Sequence, residues 1–111
     1  LLNLGHTVGH AIESLSGYTI PHGLCVYKGL GAAITVSKNY YGLTDEKEKE
    51  LRDLLASANE DETIPFTKDE IVKKIAFDKK AGDNFVRFVL IKDAGDCRVE
   101  KLPLAKIGEL L

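Results

Sequence analysis

The sequence predicts a mainly α, multihelical domain with a small antiparallel β-hairpin near its C-terminus. Three observations carry this. Apolar residues recur at helical spacing through the first two-thirds of the chain. Gly, Pro and Thr stand where such stretches should stop and start. From Phe85 onward the pattern changes to two runs rich in β-branched and aromatic residues, split by a short polar turn. With 111 residues the chain suffices for one domain with a modest core.

The first helix spans Asn3 to Leu15, with Leu4, Val8, Ala11, Ile12 and Leu15 on its apolar side, and Ser16-Gly17 closes it. A second helix runs from near His22 to Tyr41. Pro21 suits its start, where a missing N–H costs nothing, and Gly42 ends it. Cys25, Val26, Tyr27, Leu30, Ala32, Ala33, Ile34 and Val36 make this helix apolar nearly all round, as for a central element. Its small residues Gly29, Gly31, Ala32 and Ala33 let a neighbour approach closely.

Thr44 caps a third helix, with Asp45 and Glu46 suiting the dipole in its first turn and Leu51, Leu54, Leu55 and Ala58 as its buried face. The stretch 59–65 reads as a loop. Thr67 with Glu70 forms a capping box for a fourth helix that buries Ile71, Val72, Ile75 and Ala76. A charged loop, 78–83, leads to the hairpin of Phe85–Ile91 and Cys97–Leu102, turned by 92–96. Leu104 to Leu111 reads as a short final helix.

Fifteen Lys and Arg against seventeen Asp and Glu give a net charge of −2. With no dense basic cluster, this argues against a nucleic-acid partner. No apolar run approaches the roughly 20 residues of a membrane span, and no secretion signal is evident. Cys25 and Cys97 read as reduced thiols of a cytoplasmic protein, Cys25 in the core. The chain has no methionine and opens inside a helical pattern. We therefore expect a piece of a longer protein that lacks its N-terminal part, with a processed small protein as the alternative.

All three histidines lie in the first 22 residues. At about 100° per residue, Asn3, His6, His10 and Glu13 share one narrow helical face, nearly opposite the apolar stripe. His6 and His10 lie one above the other, so their rings can reach one ion, or one metal and one substrate. His22 adds a third imidazole at the head of the next helix. Gly5 and Gly9 each cost the helix about 1 kcal/mol relative to alanine, which suggests that something approaches this backbone closely, a metal or an anion being the candidates. The competing reading is structural or solvated histidines in a non-catalytic helical interaction module.

The run Leu2-Asn3-Leu4-Gly5-His6-Thr7-Val8-Gly9-His10-Ala11-Ile12-Glu13, with Pro21-His22-Gly23 and Asp78-Lys79-Lys80 before the hairpin, resembles the signature of 3-dehydroquinate synthase. The resemblance covers most of the chain. It implies that residues 1–111 are part of the C-terminal metal- and substrate-binding helical domain of a two-domain enzyme, the N-terminal nucleotide-binding domain being absent. The implied activity is a phosphate-eliminating lyase of the shikimate pathway of aromatic amino-acid biosynthesis. It converts 3-deoxy-arabino-heptulosonate 7-phosphate to 3-dehydroquinate and phosphate. The implied cofactors are NAD, bound mainly by the missing domain, and a divalent metal, zinc or cobalt. The implied assembly of the full-length protein is a homodimer.

Position by position, the resemblance makes His6 and His22 metal ligands that also face substrate, with a third ligand, a glutamate, upstream of this chain. His10 becomes the acid–base catalyst and Asn3 a substrate contact. One lysine of Lys79 and Lys80 becomes a substrate contact, Lys80 being favoured. Leu24 departs from the family's usual glutamate and is a candidate interface residue. It leaves related sugar-phosphate cyclases, such as 2-deoxy-scyllo-inosose synthase, as an alternative. Metal-dependent alcohol dehydrogenases are a more distant one. Lacking the upstream glutamate and any Gly-rich nucleotide turn, the isolated piece is expected to be catalytically silent.

Overall fold

The computed structural model describes residues 6–56, 63–78, 84–93 and 95–111, the side chains of His6 and Ala56 excepted. Five helices and one hairpin follow in the order α1 (His6–Leu15), α2 (His22–Tyr41), α3 (Asp45–Ala56), α4 (Lys68–Asp78), β1 (Phe85–Asp93), β2 (Asp96–Pro103) and α5 (Leu104–Leu110). The predicted class and every predicted element are present. Asn3, Leu4, Gly5, Ala58, Lys79 and Lys80 lie outside the described residues.

α2 is the central element, packing on α1, α3, α5 and β1. Its start and stop follow local chemistry. The Pro21 carbonyl accepts the first helical bond, from Cys25 N at 3.0 Å, and Pro21 itself is extended. At the other end Gly42 turns left-handed at φ 69° and its N–H donates to the Lys38 carbonyl at 2.8 Å. No helix among the described residues is long and apolar enough to cross a membrane.

The core gathers Val8 and Ile12 of α1, Cys25 and Val36 of α2, and Ile71 and Ile75 of α4. The inward face of β1 (Val86, Phe88, Leu90), Leu102 and Ile107 complete it. β1 and β2 pair antiparallel from Phe85↔Pro103 to Asp93↔Asp96, and Gly95 takes φ 77° in the turn. Ser37, fully buried, joins α2 to this hairpin: its hydroxyl donates to the Ala33 carbonyl and accepts from Ile91 N at 2.9 Å. Tyr41 Oη donates to Glu100 at 2.6 Å, and Asn39 Nδ2 to the Leu110 carbonyl at 2.7 Å. Both caps predicted for α3 and α4 form. Thr44 Oγ1 accepts from Lys47 N, and Thr67 and Glu70 exchange both bonds of the box.

Two predicted buried faces are narrower than expected. Of the three leucines of α3, Leu51 is buried, Leu55 is half-buried, and Leu54 is 60% exposed. The packing partner of α3 is α2, and one helix covers only a narrow stripe of another. In α4, Ile71 and Ile75 are buried but Ala76 is exposed, being rotated about 100° from Ile75. Tyr27 packs as expected and donates to the Leu55 carbonyl, whereas Tyr18 is 68% exposed. Lys28, on the helix read as apolar all round, is buried with its Nζ donating to the Thr63 carbonyl.

Candidate functional site

The site is built on the seam between α1 and α2. Gly9 sits where the two backbones meet. A Cβ added there would lie 2.8 Å from the Cys25 carbonyl oxygen and 3.3 Å from Val26 Cα. A close approach to this backbone was expected from the glycine; the partner at Gly9 is a second helix, neither metal nor anion. The contact brings α2 against the face of α1 next to its polar stripe.

The connection between the helices completes the alignment. Ser16 Oγ donates to the Glu13 carbonyl at 2.8 Å and Tyr18 N to the same carbonyl at 3.0 Å. Gly17 and Tyr18 both adopt left-handed backbone, at φ 65° and 63°. Glycine takes this conformation freely, whereas tyrosine does so at some cost. The chain reverses here, and His22 returns alongside Glu13. Its Nδ1 lies 3.1 and 3.2 Å from the two oxygens of the Glu13 carboxylate. The Glu13 side chain is only 15% exposed, that of His22 67%.

His10 and His22 line one cavity of about 240 Å³, together with Thr7 and Val26. His10 also lines a larger cavity of about 550 Å³, whose wall includes Asp78, Arg87 and Lys101. Asp78 is the last residue of α4 and immediately precedes Lys79. Arg87 and Lys101 are paired across the hairpin. Two of the three histidines therefore meet at one place. His6 lies one turn before His10 on α1, but its side chain is outside the described residues, as are Asn3, Lys79 and Lys80. Among the described residues no group of three or more His, Cys, Asp or Glu is arranged to hold a metal.

The sequence reading gave Glu13 no role beyond membership of the polar stripe, and it missed Arg87 and Lys101 altogether. Eight residues, including a turn, separate Glu13 from His22, so no helical periodicity links them. The hairpin cations reach the cavity only through tertiary packing. Cys25 belongs to the core, as expected. Burial first, and the neighbouring Glu13 carboxylate second, push its thiol up, which disfavours the thiolate needed for metal binding. Leu24 is half-buried.

Two comparisons with known proteins place the chain in one family, and a third matches its fold. A sequence model of the family described as 3-dehydroquinate synthase C-terminal matches residues 1–81. The 3-dehydroquinate synthase of Thermococcus kodakarensis is 40% identical over 111 residues, covering all of this chain and 32% of the relative. That of Pyrococcus abyssi is 38% identical, covering 99% of this chain and 33% of the relative. The chain thus spans about a third of the length of these curated relatives. In fold it is similar to a solved structure of 2-deoxy-scyllo-inosose synthase complexed with carbaglucose-6-phosphate, NAD+ and Co2+. There the TM-score is 0.75 at 19% identity, over 97% of this chain and 32% of that one. With most of its length matched by the family and its whole length by the synthase of T. kodakarensis, the chain belongs to the 3-dehydroquinate synthase C-terminal family.

Proposed function

We propose that residues 1–111 are part of the metal- and substrate-binding helical domain of a two-domain 3-dehydroquinate synthase whose other domain binds NAD. The observation that carries this is the meeting of His10 and His22, from consecutive helices, in one cavity. The imidazoles present suit part of a divalent-cation site. Imidazoles are good ligands for zinc and cobalt. The carboxylate at His22 Nδ1 accepts a hydrogen bond from that nitrogen, so in the neutral ring the lone pair is on Nε2. His22 and His6 would hold the cation, with a carboxylate from outside this chain as third ligand. When bound, the cation supplies Lewis acidity toward a substrate hydroxyl and carbonyl, and NAD supplies reversible hydride removal.

The remaining roles fall to the chain's own groups. His10 faces both cavities, so its ring can take a proton from substrate in one and return it on the other side. The larger cavity, walled by Arg87 and Lys101 and bordered by the residue before Lys79, suits the anionic carboxylate and phosphate of a sugar acid phosphate. Lys79 or Lys80, with Lys80 favoured, and Asn3 would complete the substrate contacts. The substrate we propose is 3-deoxy-arabino-heptulosonate 7-phosphate.

Phosphate release by the intact polypeptide, measured with this substrate and with other sugar phosphates, tests the reading. Turnover of the heptulosonate phosphate should exceed that of the others, and His10→Ala should lower kcat by about 10²–10⁴-fold, the range for a lost acid–base catalyst. Preference for a different sugar phosphate would move the protein to another branch of the cyclases. Unchanged kcat in His10→Ala would remove the residue from the chemistry.

A further inference from the structure

We propose that Glu13 is a positioning residue for the metal site: it fixes the tautomer and ring orientation of His22. This rests on the metal reading above and adds a residue to it. The two carboxylate oxygens lie 3.1 and 3.2 Å from one ring nitrogen, Nδ1. An ionised carboxylate only accepts hydrogen bonds, so Nδ1 carries the proton and donates it. The neutral ring is thereby held with its lone pair on Nε2, the form a cation requires. Metal-bound histidines usually donate their second N–H to a carboxylate, a backbone carbonyl or water, which fixes the ring orientation and raises ligand basicity, and Glu13 is such a carboxylate.

The asymmetry of burial supports a positioning role over a stabilising one. His22 is 67% exposed, so as a mere ion pair the contact would add little to stability. Glu13, in contrast, is largely covered and its backbone is pinned. Its carbonyl takes hydrogen bonds from both Ser16 Oγ and Tyr18 N. One turn earlier, the Gly9–Cys25 approach sets the spacing of the two helices. The covered partner is the carboxylate and the exposed one is the ring, which is the arrangement of a support and the group it orients.

The test uses the intact polypeptide, metal-free and titrated with Co2+ alone. In the metal-free protein, ¹⁵N chemical shifts should show His22 protonated at Nδ1 and unprotonated at Nε2 when neutral. Glu13→Gln, which preserves shape and removes the charge, should mix the tautomers and weaken Co2+ binding by about 10–100-fold in calorimetry. A purely structural Glu13 would lower the unfolding midpoint and leave Co2+ affinity unchanged, and that result overturns the proposal. If Glu13→Ala fails to fold, the near-isosteric Gln variant and the tautomer spectrum still decide. His22→Ala separates the two levels. Loss of Co2+ binding there, with normal binding in Glu13→Gln, sinks only the role of Glu13. Normal binding in His22→Ala, or none in the unaltered protein, sinks the metal reading and this inference together.

Discussion

The α1–α2 seam and the attachment of α3 to α2 are both helix–helix contacts, yet they are built from different forces. At the seam, backbone meets backbone at Gly9, and Val8, Ile12 and Cys25 are shielded almost completely. At α3 a single leucine, Leu51, is buried. Much of the rest of that contact is polar. Lys38 Nζ donates to Asp45 at 2.6 Å and Glu48 at 2.9 Å, Arg52 donates to Thr35 Oγ1 at 2.8 Å, and Tyr27 donates to the Leu55 carbonyl at 3.0 Å. The difference tracks the task. The seam carries Glu13, His10 and His22, whose relative positions would have to hold to a fraction of an ångström in the proposed metal site. Among the described residues, nothing on α3 lines either cavity. A contact that tolerates drift is adequate there.

The most direct way to break this contrast is Gly9→Ala. The new methyl would lie 2.8 Å from a carbonyl oxygen belonging to a helix backbone, which has no rotamer by which to withdraw. The helices must separate, at a cost of about 1–3 kcal/mol, the usual range for overpacking. Denaturant unfolding should show that loss, and Co2+ affinity should fall with it because His22 moves away from α1. Unchanged stability would mean that the seam is as compliant as α3.

Much of this seam was legible in the sequence, and the reasons are local. Gly42, Thr44 and the Thr67–Glu70 box mark helix ends through bonds made within a few residues, so all three elements start or stop where expected. The 3.6-residue period of Val8, Ala11 and Ile12 identifies a buried face because α1 is covered by both α2 and α4. The same logic fails at Leu54, since periodicity records where apolar residues lie and says nothing of whether a second neighbour covers them. It also fails at Ser37 and Lys28, whose partners, Ile91 N and the Thr63 carbonyl, are backbone groups far along the chain. The histidines could be singled out by spacing. The carboxylate behind His22, and the cations Arg87 and Lys101, depend on a loop reversal and a hairpin placement that no short motif encodes.

The polar attachment of α3 should reveal itself on acidification. Hydrogen bonding to Lys38, the largest influence on both, holds the Asp45 and Glu48 carboxyls below their ordinary values of 3.8 and 4.5. A carboxyl whose folded pKa lies below its unfolded one contributes stability above the unfolded value. That contribution disappears as pH falls through the folded one. Part of the folding stability should therefore fade below about pH 4.5. Lys38→Met should flatten this acid-side slope and make the remaining stability less sensitive to salt. The same pairs raise the Lys38 pKa, so their contribution also weakens far above neutrality, as pH climbs past the lysine's raised value. Because Asp45 is almost fully exposed and Lys38 and Glu48 are only partly covered, the effect should stay below that of Gly9→Ala. An acid slope identical in Lys38→Met and the parent would mean that packing, not charge, seats α3.

Leu54→Gln should have the smallest effect and sharpens the comparison most. Leu54 follows Leu51 by three residues, as a buried helical face requires, and yet it is 60% exposed. If α3 rests on α2 along the narrow line of Leu51 and Leu55 alone, replacing Leu54 by a polar residue of similar length removes almost no buried surface. The expected change is within about ±0.5 kcal/mol, the range for an ordinary surface site. The same substitution at Leu51, 3% exposed, should cost about 2 kcal/mol or more, because it takes apolar contacts out of the one fully buried leucine of α3 and leaves an amide unpaired. A large loss at Leu54 would instead show that a further surface covers it in the intact protein, and that α3 has two packed sides.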